Sequence, residues 1–303
     1  MFNRTKSEPW FIVTNISILL CLSSSILLAF IFLLIVLFNK TCRRISILHT
    51  CNTCLGIIVN GLNLIWADLF RLENDSKQRY YQDIFCSFRG YLGYVGIALL
   101  LYSFAFQAIF RFILVVYPTY IHWRSARLQF IFICCLWIFC ILIHLPWLLT
   151  GDMMYHVDFQ ACLLPFRWSI PIVYNVLLAY LVPFSSIAFI YFRLVQYIRQ
   201  MSSRSIVSVQ RLVRARRELV MIRRIIIVIN ILIVLGLPYT IFTILSFLIQ
   251  PPRYHYRLSI LFIDISQTLI MIVLFKFTQP VLDVLIKFKR KSLNRIYPNI
   301  NNT

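Results

Sequence analysis

Seven long apolar runs, separated by short polar and mostly basic connectors, set the plan of the chain. They cover Thr14–Phe38, Ile45–Phe70, Phe85–Val116, Leu128–Thr150, Trp168–Phe192, Leu219–Gln250 and Leu258–Ile286. Each exceeds the roughly 20 residues that cross about 30 Å of hydrocarbon as a helix. Barrel strands would instead be tilted segments of about 10 residues with alternating polarity. Helices satisfy their backbone groups internally, as lipid requires. The pattern therefore predicts an all-α membrane protein: a seven-transmembrane bundle forming one domain over residues 1–303, with a short basic amphipathic tail at 287–297. The first run is too long for a signal-peptide core and no cleavage pattern follows it, so it is expected to be its own insertion signal.

Composition agrees. The 303 residues are 60% hydrophobic and 13% charged, with a mean hydropathy of +0.81, where soluble domains carry about 25% charge. The basic residues assign the orientation. With the N-terminus outside, 20 of the 30 Lys and Arg fall on the cytoplasmic side, many of them in "RLVRARRELVMIRR" (211–224). Glu8, Glu73, Asp75, Asp83, Asp152 and Asp158 then lie outside, and so does the N-terminus, while the C-terminus is cytoplasmic. The net charge of +20 is on this reading a membrane-surface feature and not a nucleic-acid signature. Anionic lipids of the inner leaflet are the expected partner of the tail "KFKRKSLNRIY", a short amphipathic helix.

Few charges interrupt the spans. Arg111 stands in "AIFRFILVVYP" (108–118) with phenylalanine on both sides, and a charge at bilayer depth is costly without a partner or a water-filled cavity. Lys276 and Asp264 lie in the seventh span, and Lys276, the deeper of the two, is a functional candidate on the same ground. Asp68 of "WADLF" reads as interfacial. Of nine cysteines, only Cys86 and Cys162 fall at the outer face, where thiols oxidise. A disulfide between them is expected, pinning the second outer loop over the bundle. The sequons at Asn3 and Asn74 would also face outside and are candidate glycosylation sites.

Seven helices, an outside N-terminus and a third-helix cysteine facing a second-loop cysteine together resemble the rhodopsin-like (class A) G-protein-coupled receptors, over nearly the whole chain. Cys86 and Arg111 are 25 residues apart, roughly 37 Å of helix, which spans the membrane. In the family this arginine belongs to an Asp-Arg-Tyr motif; here Phe110-Arg111-Phe112 stands in its place. Trp137, Pro183, Tyr191, Pro238 in "LGLPY" and Pro280 in "FTQPVLD" match landmarks of the fourth to seventh helices. The resemblance implies an activation switch made of Arg111, Glu218, Tyr191, Pro238, Gln279, Pro280 and Asp283, in which Glu218 restrains Arg111 until the sixth helix swings out. It also implies a ligand pocket that includes Tyr94, Ile97, Asn175, Tyr239 and Thr243.

Departures from the family pattern are concentrated at the switches. Phe110 replaces the acidic residue, Gly236 the sixth-helix tryptophan, Gln279 and Asp283 the ends of Asn-Pro-x-x-Tyr, and Ile57 the sodium-binding aspartate. The chain thus reads as a divergent orphan member. No aspartate follows Cys86 by seven residues, so an amine ligand is disfavoured. The expected partners are a heterotrimeric G protein and an extracellular small-molecule or peptide ligand, at the plasma membrane.

Other classes compete with this reading. A secondary transporter or channel would show midplane charges and often internal repeats; the halves show no repeat. A non-signalling decoy of the same fold is the other alternative. An enzyme is not expected, and neither is a metal or cofactor: the five histidines are scattered without ligand spacing and no glycine-rich phosphate loop appears.

Overall fold

The computed structural model of the chain describes residues 9–39, 42, 45–77, 81–117, 123, 125–157, 159–165, 169–203, 209–246, 255–278 and 280–287. Seven of its helices are long and apolar enough to cross a membrane. They are α1 (Pro9–Phe38), α2 (Ile45–Lys77), α3 (Cys86–Val116), α4 (Ala126–Leu149), α5, α6 (Val209–Ser246) and α7 (His255–Phe277). The fifth, α5, is built from Ile170–Asn175, a π-helical stretch Val176–Leu181, and Val182–Ser203. A hairpin of β1 (Met154–His156) and β2 (Ala161–Leu163) lies between α4 and α5.

Several helices outrun the apolar runs that announce them, among them α5, which continues past Phe192 to Ser203. Polarity does not end a helix; only loss of backbone pairing or a breaker does. Residues 211–224 are rich in Arg, Leu, Ala and Glu, all good helix formers, so α6 starts at Val209 instead of Leu219. Likewise α2 continues past Phe70 to Lys77, and its last turns carry Asp68, Arg71 and Asp75 on one face at helical spacing. The seventh helix is shorter than its apolar run. It ends at Phe277, and residues 280–287 form a separate helical stretch. Pro280 has no N–H for the ladder, and the Thr278 hydroxyl instead closes the end on the Leu274 carbonyl at 2.8 Å.

Between helices in lipid there is no water to expel, so close packing and polar contacts hold the bundle. Trp137 Nε1 donates to Asn52 Oδ1 at 2.8 Å, and Asn52 Nδ2 donates to Ser103 Oγ at 2.9 Å, tying α4, α2 and α3. Gln107 Nε2 donates to Thr53 Oγ1 at 2.8 Å one turn further along. Glycines bring backbones near: Gly61 faces Ile26 of α1 and Gly96 faces Asn60 of α2. The α5 irregularity has a local cause. Pro183 offers no N–H to the turn before it, and the Tyr102 hydroxyl of α3 donates to the Leu178 carbonyl at 2.7 Å.

The apolar core divides in two. One cluster, around Phe104, Leu194, Ile229 and Met271, fills the half of the bundle that holds Arg111. The other, around Tyr91, Leu99, Ile143 and Leu164, packs α3, α4 and α5 under the hairpin.

Candidate functional site

The hairpin caps one end of the bundle. Cys162 in β2 is disulfide-bonded to Cys86 at the start of α3, with Cα atoms 5.4 Å apart. Its backbone lies so close to α3 that a Cβ on Gly90 would sit 2.2 Å from the Cys162 carbonyl oxygen; only glycine permits that approach. Leu164 N donates to the Tyr94 hydroxyl at 3.2 Å, and Phe159 packs on His255 of α7 with ring centroids 5.1 Å apart.

Beside the cap lies a buried charged network on α1, α2 and α7. Asp75 accepts two hydrogen bonds from the Arg257 guanidinium, one from Asn15 Nδ2 at 3.0 Å and one from Gln160 Nε2 of the hairpin turn at 2.8 Å. One carboxylate thus joins α1, α2, α7 and the hairpin, with two donors on each oxygen. Arg257 also stacks over the Phe11 ring at 4.1 Å. Asp68 pairs with Arg71, and Asp264 of α7 is wholly buried and close enough to interact with both. Asp68, expected at interfacial depth, is fully enclosed by protein there, because α2 leans this face against α1 and α7.

Under the cap lies a cavity of about 620 Å³, within the usual range for ligand pockets. Ile97 and Leu101 of α3, Tyr180 and Phe184 of α5, Gly236 and Tyr239 of α6, and Ser266 and Gln267 of α7 are among its walls. A Cβ added to Gly236 would meet nothing within 4 Å, so the position that carries a tryptophan in the family pattern is open space here. Gly236→Ala is expected to stabilise the folded protein by about 0.5–1 kcal/mol, since glycine in a helix interior costs that much in backbone entropy. A thermal-unfolding midpoint at or below that of the wild type would contradict it.

Of the five pocket residues expected from sequence, Ile97 and Tyr239 line the cavity. Two do not. Tyr94 stacks on His144 at 6.1 Å and holds the hairpin, and Asn175 Oδ1 lies 3.2 Å from His144 Nε2; both face α4, where a histidine needs polar neighbours. The side chain of Thr243 lies outside the described residues, although Thr240 and Ile244 on either side of it line the cavity.

At the opposite end, Arg111 is buried near the end of α3. Phe110 beside it is 3% exposed and packs on the His49 ring at 4.6 Å, an apolar contact where the family carries an acid. Tyr191 is half-buried against the core cluster of this end. Glu218 falls on the backbone of α6, but along 209–224 of that helix side chains are described only for Val213 and Val220. Gln279 and Asn3 also lie outside the described residues. Pro238 is inside α6, Pro280 opens the short stretch after α7, and Asp283 is exposed on it.

Two expectations change. Asn74 is 1% exposed in α2, which leaves no room for a glycan on its Nδ2. Lys276 is exposed in the last turn of α7, where a cation complements the helix dipole, and not deep in the bundle. The basic tail lies outside the described residues beyond Lys287.

The model of the seven-transmembrane receptor (rhodopsin) family matches residues 64–275. The chain belongs to this family. The crystal structure of squid rhodopsin has the same fold, with a TM-score of 0.71 at 16% sequence identity, over 96% of this chain and 86% of that one. No curated protein matches the chain in sequence. The chain is therefore a multi-pass membrane protein and a G-protein-coupled receptor by family, and not an enzyme.

Proposed function

We propose that this receptor passes the binding of an extracellular ligand in the capped cavity to a heterotrimeric G protein at the Arg111 end, from the plasma membrane. One observation carries the reading: α6 lines the cavity at Gly236 and Tyr239 and runs unbroken to Val209 with Pro238 inside it. Glu218 is 20 residues from Pro238, roughly 30 Å along the same helix. A ligand that presses on α6 beside Pro238 moves the far end of a rigid lever, and that end carries Glu218 and the basic stretch. The proline supplies the bend point, since it frees a backbone carbonyl within the helix. The basic residues favour the hairpin outside and the Arg111 end in the cytoplasm, where the arginines of α6 and the tail meet anionic lipid and the G protein.

With Phe110 in place of an acid, Glu218 is the restraint this reading assigns to Arg111. Basal second-messenger output in cells, matched for surface level, tests this. Glu218→Ala is expected to raise it about fivefold, the shift that corresponds to losing about 1 kcal/mol of bias toward the resting state. Arg111→Ala is expected to abolish it. Silence of all three proteins in every G-protein reporter, with normal surface levels, would point to a binding protein that does not signal.

A further inference from the structure

The walls of the cavity say more about its occupant than the family does. Among its described lining residues none is charged; the polar ones are Asn60, Tyr180, Tyr239, Thr240, Ser266 and Gln267. An ion buried there would have no opposite charge to meet, which apolar surroundings penalise heavily. None of the buried carboxylates of the neighbourhood is among those walls: Asp75 is held by its four donors, Asp68 pairs with Arg71, and Asp264 is wholly buried behind Ser266 and Gln267 on α7.

The hairpin is tied across the end of the bundle above the cavity through its disulfide, the Leu164–Tyr94 bond, the Gln160–Asp75 bond and the Phe159–His255 contact. The side is different. Val176 and Leu177 of α5 and Ile233 and Leu237 of α6 line the cavity, yet each is about half exposed on the bundle surface. In a membrane-spanning bundle that surface faces lipid. An opening to the bilayer between α5 and α6 accounts for both observations. The π-helical stretch Val176–Leu181 forms one edge of this opening.

Across from the opening, α2 and α7 place Asn60, Ser266 and Gln267 together. Gln267 Nε2 donates to the Ile57 carbonyl at 3.3 Å, which leaves its amide oxygen for a ligand. Asn60 is 6% exposed, and its Oδ1, buried against Gly96 of α3, has no hydrogen-bond partner, so a donor reaches it only by shifting that amide. A buried polar atom of this kind wants a donor.

We infer that the ligand is an uncharged, lipid-like molecule drawn from the bilayer between α5 and α6, with a hydroxyl or amide at one end that meets Asn60 and Gln267. This rests on the receptor reading above and names the chemistry its ligand must have. An apolar body reaches the opening by partition into lipid, and its neutral polar end is the only part that asks for hydrogen bonds. A charged end would have to shed its hydration to enter.

The test uses the full-length receptor in nanodiscs and a monoacylglycerol carrying a diazirine in its chain, with the fatty acid of the same chain as its charged counterpart. After illumination, adducts are mapped by mass spectrometry. The neutral probe is expected to mark cavity residues such as Leu101 and Tyr180, about tenfold more than the carboxylate does, equivalent to a difference of about 1.4 kcal/mol. Gly236→Trp, placed where the chain has open space, is expected to cut that labelling about tenfold, by the same scale. Leu177→Trp, at the opening, provides a second block should the first variant fold poorly, and Leu20→Trp on the lipid face of α1 should change nothing. Equal labelling by the two probes, or adducts confined to lipid-facing residues and indifferent to both cavity variants, would overturn the inference. Cavity labelling in a protein that activates no G protein supports the ligand class while removing the signalling role. Basal signalling from a receptor whose cavity takes no neutral probe overturns the ligand class alone.

Discussion

Asp75→Ala is expected to lower the stability of the receptor by about 3–5 kcal/mol, the usual cost of stranding a buried charge by deleting its partner. The Arg257 guanidinium is 2% exposed and gives both of its paired donors to Asp75. The same substitution strands the Asn15 and Gln160 amides, each a further unsatisfied donor at about 1–3 kcal/mol when no water reaches it. The reverse deletion, Arg257→Met, is expected to cost less. It leaves Asp75 with the Asn15 and Gln160 donors, and the methionine keeps an apolar contact with Phe11, over which Arg257 stacks now. Replacing both partners at once, Asp75→Leu with Arg257→Met, should recover a large part of the loss, because a well-packed apolar pair can match a buried ion pair. Thermal midpoints of the purified receptor in nanodiscs, measured on the three variants, decide the matter. Equal losses for Asp75→Ala and Arg257→Met would show that the ion pair alone matters and that the carboxylate does not act as a four-way junction.

That junction marks the boundary of what the sequence could tell. The seven spans were legible because about 20 apolar residues in a row have few other uses, and the disulfide because only two cysteines sat at one face. Helix ends were not legible where polar helix formers carried on beyond the apolar run, as at Arg71–Lys77 and 209–218. Rotation about a helix axis was the next thing lost. Tyr94 and Ile97 are three positions apart on α3, and both were expected in the pocket. Only Ile97 faces it, while Tyr94 turns toward α4 and the hairpin. Asp75 and Arg257 are 182 residues apart, so no local pattern could pair them. A trace of the network was nonetheless present. Asp68, Arg71 and Asp75 recur at the three-to-four-residue spacing that puts side chains on one helix face, in a segment whose length reads equally well as a loop. Charges in register on a helix end are a reason to extend the helix and look for a second helix to answer them.

Loss of the disulfide should rival loss of Asp75 in size but differ in kind. Cys86 and Cys162 close a loop of sequence separation 76, and constraining such a loop in the unfolded chain is worth about 4–5 kcal/mol in the chain-entropy account. Much of that loop is itself membrane-spanning helix, which the unfolded chain in lipid retains, so the realised loss is expected nearer 2–4 kcal/mol, the span commonly measured. The hairpin has other ties, through Ser87 Oγ to the Met153 carbonyl at 3.3 Å, Leu164 to Tyr94 and Gln160 to Asp75. Cys86→Ser is therefore expected to weaken the cap without releasing it. Gly90→Val provides the contrast. Its first side-chain atom would fall 2.2 Å from the Cys162 carbonyl, against backbone that cannot yield as a side chain would, so the hairpin is levered off α3 with the disulfide intact. Hydrogen exchange across residues 154–163 separates the two effects. Cys86→Ser should lower the thermal midpoint strongly and raise exchange modestly; Gly90→Val should raise exchange strongly at an intact cross-link. If Gly90→Val leaves exchange at the wild-type level, the close approach of β2 to α3 is not what holds the cap, and the seal over the cavity must come from the Asp75 junction instead.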